Sequence, residues 1–196
     1  MRRRTFDALM SIAGVTLTVV LAVAGGLMFW AHGFVQDQVT TQLSAQKIFF
    51  PAKGDDALAS KEIGPYLNQY AGQQLTTGAQ AKAYADHYIN VHLQEMTGGQ
   101  TYAQLSAKSM ANPDDQELAG LVSTVFKGET LRGLLLNAYA FGQMGTIALY
   151  GAIVSFVGAG VMLLLSLLGL AHLQRVPEEA EVKLGRKVRG TRPATA

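Results

Sequence analysis

Two long stretches without a charged side chain dominate the hydrophobic pattern. No Lys, Arg, Asp or Glu occurs from Ala8 to Gln36 or from Gly133 to Gln174. At 29 and 42 residues, both exceed the ~20 residues that span the hydrocarbon of a bilayer. The pattern predicts one transmembrane helix over residues 8–30 and a second over 146–172. The second stretch is too long to lie wholly in lipid, since as a helix it would reach about 63 Å. Its upstream part, Leu131–Gly145, reads as the same helix emerging from the membrane. Trp30, and Tyr139, Phe141 and Tyr150 on the other span, fall where interfacial aromatics belong.

Between the spans the periodicity stays helical. Val35, Val39 and Leu43 recur every four residues until Phe50-Pro51, where proline ends the pattern. Ala52–Ser60 reads as a loop, and a short helix is expected over Lys61–Ala71. A longer helix is predicted over Ala79–Met96, with an apolar stripe of Ala81, Tyr84, Ala85, Tyr88, Ile89 and Met96 and a stop at Gly98-Gly99. Thr101 is placed to cap another helix through Met110. Asn112-Pro113-Asp114-Asp115-Gln116-Glu117 combines an N-cap, a first-turn proline and acidic residues, and starts a helix that buries Leu118, Leu121, Val122 and Val125 and ends near Gly128. A further helix then runs into the second span. No sustained alternation predicts a strand. The expected fold class is all-α: two transmembrane helices extending into an extracytoplasmic helical cap.

Charge sets the orientation. Arg2, Arg3 and Arg4 precede the first span, and Arg175, Lys183, Arg186, Lys187, Arg189 and Arg192 follow the second. Residues 31–145 hold ten acidic and seven basic side chains. The positive-inside rule then places both termini in the cytoplasm of a cell-membrane protein. The domains follow as a basic N-terminus (1–7), span one (8–30), an extracytoplasmic helical segment (31–145), span two (146–172) and a basic, disordered tail (173–196). Ala22-Val23-Ala24 resembles a signal cleavage site, but the apolar run continues through Trp30, which favours a retained anchor. Arg2, Arg3, Arg4, Arg175, Lys183, Arg186 and Lys187 are placed to meet anionic lipid headgroups. That reading is preferred to nucleic acid as their partner.

Candidate chemistry is sparse. The chain has no cysteine, so it offers no thiolate metal site. His87 and His92 are five residues apart, about 140° around a helix, and do not converge as metal ligands would. Ser44-Ala45-Gln46-Lys47 matches an acyl-enzyme motif but lacks its companion elements. Neither span carries a Lys, Arg, Asp or Glu, which transport pathways and proton relays ordinarily use. Small residues do recur: Gly14, Thr18, Ala22 and Gly26 on the first span, and Gly151, Ser155 and Ala159 on the second. Such stripes let helices approach closely, within a chain or between chains. No catalytic, cofactor or metal site is expected.

Several phrases, Gln46-Lys-Ile-Phe-Phe-Pro51, Tyr70-Ala-Gly-Gln73, His92-Leu93, Gly99-Gln-Thr-Tyr102 and the run Thr130–Phe141, resemble a family of uncharacterised actinobacterial two-span membrane proteins. Members often carry an automatic label naming the small subunit of an aromatic ring-opening dioxygenase. Ring opening needs iron held by convergent His and carboxylate ligands, and that enzyme is soluble. The resemblance implies a fold and a location, without an activity. The expected function is that of a non-enzymatic accessory or scaffold subunit, binding a membrane-protein partner or a copy of itself. The alternatives are a membrane sensor, or an enzyme with a site in the cap around Asp86, His87 and Glu95.

Overall fold

The computed structural model describes residues 3–175 and Pro177. These are arranged as α1 (Arg3–Ala45), α2 (Asp56–Ala59), α3 (Gly64–Leu67) with a 3-10 turn (Asn68–Tyr70), α4 (Gly78–Tyr84), a π-helical turn (Ala85–Ile89), α5 (Asn90–Thr97), α6 (Tyr102–Ala111) and α7 (Gln116–Leu173). The fold is all-helical; among the described residues the only β pairing is an isolated bridge between Phe49 and Gln74. Helices α1 and α7 are long and apolar enough to cross a membrane. The chain divides into two compact units, Met1–Leu27 with Gly151–Ala196, and Met28–Tyr150.

The first unit is a pair of helices. Its seam on α1 is Ser11, Gly14, Thr18, Leu21 and Gly25, and on α7 Ala152, Ser155, Ala159, Met162, Ser166 and Gly169, all buried or half-buried. Steps alternating three and four keep a seam on one face of a gently supercoiled pair. The pairing is antiparallel and close. A Cβ at Gly14 would strike the Ser166 hydroxyl, one at Gly169 would lie 2.8 Å from Ser11 Oγ, and one at Gly25 would meet the Phe156 ring at 3.0 Å. Hydroxyls in these helices bond back to the preceding turn: Ser11 to the Asp7 carbonyl, Thr18 to Gly14 and Ser166 to Met162. They therefore need no partner from outside. The large side chains point outward, and only 11% of the most apolar window of each long helix is buried.

The second unit has a conventional core. Val39 and Leu43 of α1, Phe50, Leu58, Ile63, Leu67, Leu75, Leu105, and Val125 and Leu135 of α7 form one buried cluster. Local signals set several boundaries as the sequence predicts. Thr101 and Gln104 close a capping box on α6, and Gly98 stops α5 in the left-handed region at φ 59°. Thr77 and Gln80 form a second capping box on α4.

Four expectations are corrected. Ala52–Ser60 is not wholly loop: Asp55 caps the single turn α2, which buries Leu58. The helix expected over Lys61–Ala71 is one α-turn and one 3-10 turn beginning at Gly64. The last long helix starts at Gln116 with Asp115 as its cap, accepting from the Leu118 amide at 2.9 Å. Asn112 cannot fill that role, because it closes α6: its amide reaches the Ser109 carbonyl and its side chain the Lys108 carbonyl. Finally, α7 does not break at Gly128. A Cβ there would sit 2.7 Å from Leu93 Cδ2, so this glycine makes room for α5 inside an unbroken helix.

The π-turn also changes the buried face. Ala81, Ala85, Ile89, Leu93 and Thr97 are buried, a regular step of four, while Met96 is 49% exposed. An α-helix drifts about 40° for every four residues. The extra residue of a π-turn absorbs most of that drift, so Leu93 takes the inward place expected of Met96.

Candidate functional site

Lys82 and Arg132 converge on Asp86, in the π-turn. Lys82 bonds it from one turn earlier, and Arg132 of α7 approaches at 3.6 Å while also pairing with Glu129. The Lys82 ammonium lies 5.3 Å from the centre of the Tyr139 ring. This set ties α4 and the π-turn to α7, and each charge is compensated. His87 turns away to stack on Tyr66, with ring centres 3.5 Å apart. His92 bonds the Tyr88 carbonyl through Nδ1 at 2.7 Å. Glu95 is exposed. Asp86, His87 and Glu95 thus do not build one reaction centre. Among the described residues no three acidic or histidine side chains gather where a metal ion could be held.

An aromatic chain runs through the same region, from Tyr70 to Phe50 to Tyr84 to Tyr88 to His92, with neighbouring centres 4.5–5.4 Å apart. Burial, reinforced by the neighbouring Tyr88, pushes the Tyr84 phenol up to about 12. The shift favours a phenol that keeps its proton. These rings serve as core.

Two side chains of α1 clamp α7 through its backbone. His32 Nδ1 lies 2.8 Å from the Gly145 carbonyl, and Gln36 donates to the Gly142 carbonyl at 3.1 Å. A carbonyl can only accept, so His32 carries its proton on Nδ1 here. The two glycines permit the approach: a Cβ at Gly145 would lie 3.1 Å from Gln36 Nε2, and Gly142 faces Gly78 at the start of α4. No pattern within α1 announces this clamp, because the paired groups lie 113 and 106 residues apart.

Beside the clamp, between α1 and α7, lies an open groove of about 550 Å³. Phe34, Val35, Val39, Leu43, Leu131, Leu134, Leu135, Ala138 and Phe141 give it apolar walls, and Gln38, Gln42, Gln46 and Asn137 supply carboxamides. None of the lining residues is ionisable. Gln38 and Gln42 mark one wall on a single helical stripe of α1, and Gln46 follows in the turn after it. Read along the sequence, those glutamines look like solvent-facing spacers. This lining can bind; it offers no proton donor or nucleophile of shifted reactivity.

The predicted helix-packing residues separate. Gly14 is buried, Thr18 half-buried, Gly151 and Ser155 half-buried, and Ala159 buried. Ala22 and Gly26 are exposed, and a Cβ at Gly26 would meet nothing within 4 Å. Within one chain, these two residues are not on the face that pairs α1 with α7. A stripe stepping strictly by four walks around the helix, so it leaves the seam after Thr18, where Leu21 and Gly25 continue it. Of the expected headgroup residues, Arg4 and Arg175 are exposed. Arg2, the Arg3 side chain, Lys183, Arg186 and Lys187 lie outside the described residues, as does the tail beyond Pro177.

Comparison with family models, with curated proteins and with solved structures gave no match for this chain.

Proposed function

We propose that the chain crosses the cell membrane twice, with both termini in the cytoplasm and residues 31–145 outside, and acts as a non-enzymatic accessory subunit. Its partner is a membrane protein or a second copy. One observation carries the reading. In the paired helices the buried positions are serines, glycines and alanines, while Val19, Leu164 and Leu168 are more than half exposed. A core helix of a soluble protein would bury its leucines. Exposed apolar surface on this scale calls for a hydrocarbon surrounding. The likeness to a two-span family points the same way. The binding role is supported by the uncharged groove between α1 and α7, which offers contact surface without acid–base groups.

The absence of cysteine makes the test clean. Single-cysteine variants Thr5→Cys, Gly54→Cys and Thr195→Cys are treated in intact cells with a maleimide that cannot cross membranes. Residue 54 should label at once, and residues 5 and 195 only after lysis. Labelling of either terminal position in intact cells would overturn the topology. Emergence of the chain alone and monomeric from gentle detergent extraction with crosslinking would overturn the accessory role.

A further inference from the structure

We infer that the α1–α7 groove holds one hydrocarbon chain of a bilayer lipid, an inference that rests on the membrane reading above. Three features of the groove choose this occupant. The first is charge: with no Lys or Arg in the lining, nothing there holds a phosphate, so the part of a lipid that fits is its chain. The second is size. About 550 Å³ lies within the roughly 300–1,000 Å³ of small-ligand sites. A space of that size accommodates a single extended hydrocarbon chain.

The third feature is continuity. Phe29, Trp30 and Phe34 of α1 and Phe141, Ile147 and Tyr150 of α7 are each more than half exposed. The His32–Gly145 contact brings these two segments level with one another. They form an apolar girdle of the kind found where protein meets lipid. Phe34 and Phe141 belong to both the girdle and the groove. The groove therefore opens from the girdle, and a chain can enter it without passing through water. Beyond Phe34 the amides of Gln38, Gln42 and Gln46 line its course.

The test uses the full chain in phosphatidylcholine nanodiscs, a minor fraction of whose lipids carry a nitroxide at the end of one acyl chain. A small fluorophore is attached at Gln42→Cys or at Thr40→Cys. Both positions are exposed, so neither change disturbs the fold. They stand at nearly the same height on opposite sides of α1, so distance from the bilayer cannot separate them. Quenching at residue 42 should clearly exceed that at residue 40, because only residue 42 lines the groove. Adding Leu134→Trp, which fills the groove from an exposed position, should bring residue 42 down to the level of residue 40. Equal quenching at the two positions in discs that contain the protein overturns this inference alone. Absence of quenching, together with a disulfide between two copies of the unlabelled Gln42→Cys protein, overturns it in favour of a second copy. Failure of the chain to enter discs at all overturns the membrane reading and this inference with it.

Discussion

In the Met28–Tyr150 unit the largest fully buried side chains are Leu67, Leu75 and Val125, whereas in the paired helices the buried places go to Ser11, Gly14, Gly25, Ala152, Ala159 and Ser166. The leucines near the end of α7, Leu163, Leu164, Leu165, Leu167 and Leu168, all face outward. The same chain follows two opposite burial rules. In water, burying Leu67 removes apolar surface from a medium that rejects it, and that transfer drives packing. In a hydrocarbon surrounding there is no such gain, because a leucine is as well solvated outside as inside. What remains is dispersion between closely approaching backbones, which small residues permit, and hydroxyls satisfied within their own helix. The contrast supports the proposed membrane location through the burial pattern, a more discriminating indicator than helix length, since a buried core helix can be just as long.

The largest effect should come from the core. Leu67→Ala removes a side chain with no exposure and should destabilise the Met28–Tyr150 unit by about 2–5 kcal/mol. Amide hydrogen exchange in detergent would show this as lost protection in α3 and α4, with the paired helices unaffected. A loss spread equally over both units would mean that they do not obey separate rules.

A smaller effect is expected at the seam. Gly14→Leu forces a side chain against Ser166 and should cost roughly 1–3 kcal/mol of helix pairing. Gly26→Leu faces open space and should stay within about 0.5 kcal/mol. Disulfide formation between Ser11→Cys and Gly169→Cys, compared in the two backgrounds, measures the difference. Equal effects would break the claim that the seam follows Ser11, Gly14, Thr18, Leu21 and Gly25.

The smallest effect is a pH dependence confined to the cap. The Tyr84 phenol is raised from 10.0 to about 12, first by burial and then by Tyr88. Between those values the unfolded chain has lost a proton that the folded chain still holds, so stability falls as pH rises. Below pH 10 this contribution is fully present. Tyr84→Phe should flatten the fall, read from denaturant midpoints at several alkaline pH values. An unchanged slope would assign the alkaline sensitivity to other groups.

Much of the fold was legible one segment at a time. The two charge-free stretches announced α1 and α7, Thr101 and Gly98 marked helix ends through their own backbone chemistry, and Val39, Leu43 and Val125 fell on buried faces. These signals are local: a cap or a charge gap acts within a turn or two of chain. Tertiary contacts decided the rest. Asn112 lost its cap because α6 claimed it, Gly128 became a packing notch because Leu93 lies against it, and the π-turn moved the inward face from Met96 to Leu93. Ala22 and Gly26 left the seam because only the partner helix fixes which side of a small-residue stripe is covered. The groove belongs to the same class. Phe34 and Phe141 stand more than a hundred residues apart, and no periodicity within either helix could show that they share a wall.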